Sequence, residues 1–452
     1  MIQAERIQDL NDAPVRPGRY VLYWMQASQR ARCNHALEYA IREANRNKQP
    51  LLAVFGLTEQ YPEAQERHYA FVLEGLRETA KELRDRGVQL VVRRGSPEVV
   101  ATEAAEEASL VVTDRGYTRH QKAWRRCVAR RSACRVVQVE SEVIVPVEVA
   151  SDKREYSAAT LRSKIHRQLP RYLVPLERTK LRRDSLDMRL ASVPIDDVDA
   201  VLADMKIDRT AGRVRTFVGG ASHAARLLRE FIERKLPRYA SERNDPSLDI
   251  QSHQSPYLHF GQVSPLEIAL QVVAAKHVPR AAKDAYLEEL IVRRELAVNY
   301  VHFCPRYDSY ESLPDWARRT LADHAADRRP VIYTASQLER CGTTDPYWNA
   351  AMREMLVTGK MHNYMRMYWG KKVLEWSRDP RRAFRLLLHL NNRYFLDGRD
   401  PSGWANVGWC FGLHDRPWGE RPIFGTVRYM NAAGLERKFN IDAYVRHVQA
   451  LP

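Results

Sequence analysis

Five short apolar runs in the first third of the chain restrict its fold more than any other feature. They are YVLYWM (Tyr20 to Met25), LLAVFGL (Leu51 to Leu57), VQLVV (Val88 to Val92), LVVT (Leu110 to Thr113) and RVVQV (Arg135 to Val139). Each is continuous rather than alternating, the pattern of a strand covered on both faces. Helical stretches lie between them. Asn34 to Asn45 places Ala36, Leu37, Ala40 and Ile41 at helical spacing, and Tyr69 to Leu83 does so with Phe71, Leu73, Leu76 and Leu83. This alternation predicts βαβ units, a parallel sheet and right-handed crossovers. No GxGxxG follows the first run, so the dinucleotide fingerprint is absent there and a nucleotide is expected to bind elsewhere in the chain.

Residues 141–215 are rich in Pro, Ser and Arg, with Pro146, Pro170, Pro175 and Pro194, and read as a long connection that packs on its neighbours. From Ala221 the pattern turns helical and stays so. Ala225, Leu227, Leu228, Phe231 and Ile232 form one stripe, and 266–275, 286–300, 347–356 and 362–376 carry others. The expected architecture is an α/β Rossmann-like domain with a parallel sheet (1–140), a linker (141–215) and a larger all-α domain (216–452).

Charge narrows the partner. Lys plus Arg total 72 against 56 acids, a net charge of +16, which favours a polyanion through counterion release and steering. The six cysteines form no CxxC pair, which argues against a disulfide framework or thiolate zinc site and for a reducing, cytoplasmic compartment, nucleoid-associated in a bacterium. No apolar run approaches the length of a membrane span and no secretory leader precedes the first strand, so no membrane contact is expected. No metal site is nominated, and GxSxG, HExxH and P-loop patterns are missing.

Four features carry chemistry. Six of the nine tryptophans fall between Trp348 and Trp418. Trp369 and Trp376 are seven apart, hence on nearly one helical face, and Trp348 lies on the preceding helix. Three indoles on adjacent helices suit electron hopping to a buried redox centre, although tryptophan more often simply fills a core. FLDGRDPSGWANVGW (Phe395 to Trp409) sets Asp397 and Asp400 among Gly398, Gly403 and Gly408, whose missing side chains permit a flat ligand to approach. Arg366, Arg393 and Arg399 make ion pairing the commoner fate of those carboxylates. QSHQSPYLHFGQ (Gln251 to Gln262) clusters small donors before a helix start, which suits phosphate or simple capping. The stretches 120–138 and 161–183 are basic and read as solvated faces. Lys371, Lys372, Trp404, Trp409, Arg416, Trp418 and Arg421 mix bases with exposed-looking aromatics, the pattern that stacks an extruded or single-stranded base.

WMQASQR (Trp24 to Arg30), NHALEYAI (Asn34 to Ile41), FGLTEQYPEA (Phe55 to Ala64), SPYLHFGQ (Ser255 to Gln262), TGKMHNYMRMYWGKKVLEW (Thr358 to Trp376) and DGRDPSGWANVGW (Asp397 to Trp409) occur in one order along nearly the whole chain. Together they closely resemble the class II cyclobutane pyrimidine dimer (CPD) photolyases of the photolyase/cryptochrome family. The resemblance implies an FAD-binding helical domain and a light-driven lyase. In that reaction excited reduced FAD passes an electron to a pyrimidine dimer flipped out of UV-damaged double-stranded DNA. A monomer is expected, and a deazaflavin (8-HDF-type) antenna in the N-terminal domain is compatible. A cryptochrome-type blue-light receptor shares the fold, and a non-catalytic binder of damaged DNA shares the charge.

The same resemblance implies residue roles. Ser252, Gln254 and Ser255 match the FAD phosphate segment, with Tyr257 as packing. Asn391 matches the asparagine facing flavin N5, and Arg366 with Asp397 the ion pair beside the ring system, Asp400 being a supporting carboxylate. Trp369, Trp348 and Trp376 match the electron chain from the flavin outward. Glu289 matches the acid that hydrogen-bonds the dimer, Met367 and Trp409 the lesion-pocket lining, Arg243 and Asn244 a lesion- and cofactor-proximal segment, and Arg416 and Trp418 the loop that holds the bubble. Arg293 stands where some relatives carry a stacking Trp, and its guanidinium plane can also stack.

Overall fold

The computed structural model describes residues 2–452. Six strands, β1 (Ile7–Asp9), β2 (Tyr20–Trp24), β3 (Leu51–Leu57), β4 (Gln89–Arg94), β5 (Ala108–Asp114) and β6 (Arg135–Val139), form one sheet in the order β1-β6-β5-β2-β3-β4. All five apolar runs are strands and pair in parallel. The sixth, β1, adds antiparallel to β6 at the edge, Ile7 facing Val139. Strands β2, β3 and β5 are buried at every position. Val21 and Tyr23 pack into the layer on one face, Tyr20, Leu22 and Trp24 into the layer on the other. Helices His35–Arg46, Glu66–Arg84, Pro97–Ala105 and Arg119–Arg131 make the crossovers. Asn34 starts the first by accepting the Leu37 amide at 3.1 Å.

The stretch 141–215 holds the short helices Val147–Ala150 and Val198–Ala203 and the longer Ala158–Tyr172. It is pinned to its neighbours at intervals, with much of 173–200 exposed between the anchor points. Ile195, Val198 and Val201 join the sheet's core, while Ile144, Leu161 and Ile165 join that of the helical part. Beyond it the chain is helical among the described residues, apart from isolated bridges. Helices Pro346–Thr358, Asn363–Glu375, Pro380–Tyr394 and Pro401–Cys410 all begin after a side-chain cap, three of them with proline in the first turn. A π-helical stretch, Glu288–Arg293, interrupts the helix between Arg280–Leu287 and Arg294–Phe303, a distortion that frequently marks a functional position. No described helix is long and apolar enough to cross a membrane.

The sheet and the helical part meet over buried polar contacts. Arg30 donates to the Gly261 carbonyl at 2.9 Å. Gly261 has φ +64° and sits so close that a Cβ would fall 1.7 Å from the Ala27 carbonyl oxygen, so only glycine fits. Arg67 donates to the carbonyls of Tyr394 (2.8 Å) and Leu356 (2.9 Å), placing a cation where helix carbonyls are unsatisfied. Glu295, wholly buried, accepts from the Ile144 and Val145 amides. Burial pushes its carboxyl from 4.5 up to about 8 against those two amides. Between those pH values the folded chain keeps a proton that the unfolded chain releases, so this group lowers stability as pH rises through the window. Glu295→Gln is expected to remove on the order of 2–4 kcal/mol of that pH dependence. Thermal melts at about pH 5 and about pH 8 check this; equal sensitivity in both proteins contradicts it.

Two expectations about surface chemistry are corrected. Lys371 and Trp404 are buried, and Lys372 nearly so. The Lys371 ammonium donates to the Cys410 carbonyl at 2.7 Å at the carboxyl end of its helix, and Trp404 packs edge-on against Tyr307. Within 120–138, Arg125 is buried rather than solvated, bonded to Gln138, Gln26 and the Gly116 carbonyl.

Candidate functional site

Helix Asn363–Glu375, the end of helix Pro380–Tyr394 and the stretch leading into helix Pro401–Cys410 converge on Arg366. Its guanidinium donates to Asp397 (3.1 and 3.4 Å) and to the Asn391 side-chain oxygen (2.8 Å), and lies over the Phe395 ring at 3.7 Å. Burial alone would raise the Asp397 carboxyl; Arg366 and the Ser255 hydroxyl more than offset it and hold it below the ordinary range. Ser255 therefore reaches the same cluster. Gln254 is buried, its amide nitrogen donating to the Ala224 carbonyl at 3.0 Å while its side-chain oxygen has no partner. Ser252 contacts the Tyr286 hydroxyl. Tyr257 is packing, as expected: it is buried and bonded to the Val218 carbonyl.

The helix that begins at Ser255 is only five residues long, too short for its dipole to carry a phosphate site. The full positive charge nearby is Lys360, which the sequence reading missed. Its ammonium lies 3.0 Å from His253 Nδ1, and burial lowers it to about 8 despite Asp397. The signal was present as a base just after Gly359, the left-handed C-cap of helix Pro346–Thr358. The glycines also divide differently. Gly398 packs on the backbone of Asn391 and Asn392, Gly408 on Leu413, and only Gly403 faces the Asn391 amide, at 3.0 Å from a built Cβ. Asp400 caps helix Pro401–Cys410.

A line of buried indoles leads away from the cluster. Phe395, under Arg366, meets the Trp369 ring edge-on at 6.0 Å. The Trp348 indole N–H donates to the Trp369 carbonyl at 3.0 Å, and the Trp348 and Trp376 rings lie 5.5 Å apart. Trp376 in turn touches half-buried Tyr333 at 5.0 Å. The Trp369 N–H has no partner. The same holds for the indole N–H of Trp24 and Trp316.

Beyond His362, at the start of the Arg366 helix, the side chains become partly exposed. Arg243 pairs with Glu289 at 2.9 Å and stacks over Tyr239. Gln251 ties the Arg243 carbonyl to His362, which caps the Arg366 helix. Asn244 and Arg293 are exposed, Met367 and Trp409 half-buried. Trp409 lies between the cations of Lys371 (4.8 Å) and Arg428 (5.6 Å). Arg428 also stacks on Trp418 at 4.0 Å, and Arg416 lies over the same ring at 5.2 Å. Of these, Arg416 and Trp418 face outward, Trp409 and Arg428 are half-buried, and Lys371 is buried beneath them.

A cavity lies at the carboxyl ends of β2, β3 and β5, where strand order reverses, the usual ligand position in open α/β sheets. Tyr61, Trp124 and Arg399 line it, with Arg399 over Tyr61, and His120 packs edge-on against both Tyr61 and Trp124. Burial lowers His120 to about 4, so its ring is neutral at physiological pH, bonded to the Tyr61 hydroxyl at 2.7 Å. WMQASQR contributes Gln26 to the wall, whereas Ser28 and Arg30 are bound to Glu142. Arg399 and Asp400 in this wall belong to the same short stretch as Asp397.

Arg366, Asp397 and Asn391 thus form a buried polar cluster, with the Lys360 ammonium nearby and a line of buried indoles beside it, carried on helices that pack against a parallel α/β sheet domain. The DNA photolyase family model matches residues 21–180. The chain is 52% identical to the deoxyribodipyrimidine photo-lyase of Methanothermobacter thermautotrophicus, covering 100% of this chain and 99% of that one. It is 38% identical to the Arabidopsis thaliana deoxyribodipyrimidine photo-lyase, covering 95% and 89%. In structure it resembles a class III photolyase from Agrobacterium tumefaciens, with a TM-score of 0.71 at 20% identity over 97% and 88% of the two chains. The chain belongs to the DNA photolyase family.

Proposed function

We propose that this protein is a light-driven lyase that splits cyclobutane pyrimidine dimers in DNA, with FAD as its cofactor. The observation that carries the reading is the sequence of contacts from Trp376 through Trp348, Trp369 and Phe395 to Arg366, Asp397 and Asn391, with the Glu289–Arg243 pair tied to the Arg366 helix through Gln251 and His362. The whole-chain identity to named photo-lyases supports it. The cradle suits FAD by its donor set. Lys360 answers a diphosphate, Ser252 and Ser255 offer hydroxyls, and the unpartnered Gln254 oxygen calls for a donor of the kind a ribityl or ribose hydroxyl provides. Bound FAD, fully reduced, supplies a light-absorbing one-electron donor.

The chain's residues do the rest. Arg366 and Asp397 hold a fixed buried charge pair at the ring system. Asn391, positioned by Arg366, presents a neutral amide that serves a ring nitrogen with or without its proton. The three indoles pass electrons inward to restore the reduced cofactor. Glu289, oriented by Arg243, accepts a hydrogen bond from the dimer, while Met367 and Trp409 line its pocket. Arg416 and Trp418 fill the gap left by the extruded bases, whose extrusion costs least at a poorly stacked lesion. The substrate ring opens after gaining one electron and gives it back, so no general acid is required. We assign the flavin site to residues 216–452 and an antenna of the deazaflavin class to the sheet-end cavity of residues 1–140, with 141–215 joining them. The protein acts as a monomer. A cryptochrome-type receptor has no use for the Glu289–Arg243 pair or for Trp409 between its cations.

The test is an absorption spectrum of the purified protein, followed by illumination of a dimer-containing oligonucleotide. Flavin absorption and repair in light but not in darkness are expected. A colourless protein that takes up no FAD, or dimers left intact by illuminated holoenzyme, refutes the reading.

A further inference from the structure

We propose that Arg162 and Arg293, bridged by Glu288, form a phosphate-binding fork through which the interdomain connection grips the lesion-bearing strand. The inference rests on the reading that the mouth beside Glu289 receives DNA, and it assigns to the connection a contact that the basic stretch 161–183, read as a solvated face, did not suggest. Arg162, on helix Ala158–Tyr172, engages both oxygens of Glu288 at 2.7 and 3.0 Å. Arg293 approaches the same carboxylate at 3.3 Å from within the π-helical stretch. Glu288 adjoins Glu289 in sequence, and Arg293 lies about one turn further along the same helix, so the fork stands at the rim of the mouth. Both guanidiniums remain partly exposed, at 39% and 49% of their side-chain surface.

Three charges sum here to one net positive, and the planar fork that holds a carboxylate in two-point contact fits a phosphate equally well. Glu288 thus keeps both guanidiniums in position when no phosphate is present. The start of the connection is anchored at this rim by independent contacts. The Tyr156 hydroxyl donates to the Asp415 carbonyl at 2.9 Å, and the Tyr156 carbonyl lies 2.9 Å from His414 Nδ1. Asn299 holds Lys153 and Glu155 on the helix that continues from Arg293. The Tyr156 ring is 51% exposed and Trp418, across Asp415, 39% exposed. Two open aromatic faces among arginines are what unpaired bases and their backbone require; an acidic protein surface would need neither ring.

The experiment measures association of the full-length holoenzyme with dimer-containing duplex, in darkness, over a salt series. Each lost phosphate contact reduces the log–log salt slope by about 0.9, and Arg162→Ala and Arg293→Gln are each expected to flatten it by about that amount. Glu288→Gln raises the local charge by one and is expected to tighten binding severalfold at low salt and steepen the slope, a gain that misfolding cannot mimic. Unchanged slopes in both arginine variants, or weaker binding by Glu288→Gln, overturn the fork. Wild-type repair of the same duplex in light separates the two levels: with repair intact, those results sink the fork alone, and without it the wider reading fails too.

Discussion

Trp369→Phe is expected to abolish light-driven reduction of oxidised FAD in the presence of an external thiol while leaving repair by chemically reduced enzyme at the wild-type rate. Phenylalanine keeps an aromatic ring against Phe395, at some loss of volume, but is far harder to oxidise. The fold has little reason to change, because the bond from the Trp348 indole runs to the backbone carbonyl of residue 369 and survives the exchange. The indole N–H that is lost has no partner in the first place. Two measurements on one preparation decide the matter: bleaching of the oxidised flavin band under blue light, and dimer splitting after reduction with dithionite. Equal loss of both, or photoreduction at the normal rate, contradicts the role given to Trp369.

Removing Asp397 is expected to have a comparably large effect on cofactor retention. Asp397→Ala leaves the Arg366 guanidinium, largely enclosed and lying on Phe395, without its carboxylate. Stranding one partner of a buried pair costs about 3–5 kcal/mol. Expressed in FAD binding, that is about two to four powers of ten in Kd. The Asn391 amide is tied to the freed Arg366 by its oxygen, while its nitrogen stays bonded to Asn392 at 3.0 Å. Asp397→Asn, which keeps a polar contact with Arg366 and Ser255, is expected to fall between. Flavin content after purification and fluorescence titration of the apoprotein measure both. Full flavin occupancy in Asp397→Ala, with an unchanged far-UV spectrum, rules out the pair as part of the cradle.

How much of this was legible depended on how local the signal was. The parallel strands were plain because burial on both faces leaves no polar positions in β2, β3 or β5. The edge strand β1 was invisible: three residues, Ile-Gln-Asp, mostly exposed, have no pattern of their own and exist by pairing with β6. The spacing of Trp369 and Trp376 put them on one helix, but only packing shows Trp348 reaching both, by its N–H and by its ring. Lys371 and Trp404 were misplaced because polarity was taken for exposure, whereas one helix-end carbonyl suffices to bury an ammonium. The glycines of 398–408 looked like room for a ligand and proved mostly to be room for neighbouring backbone and Leu413. Tyr61, the His120–Trp124 pair on one helix, and Arg399 come from three separate segments, and no window of sequence contains them together.

The stretch that runs from Asp397 through Arg399 to Asp400 has one further consequence. One end grips the flavin cradle, and the other, two residues on, walls the cavity at the strand ends. Any pigment taken into that cavity is therefore set at a spacing from the reaction centre that is built into covalent geometry, independent of which pigment it is. An insertion of even one residue between Asp397 and Arg399 would move the cavity wall relative to the Arg366 pair, so the two sites can change length here only together.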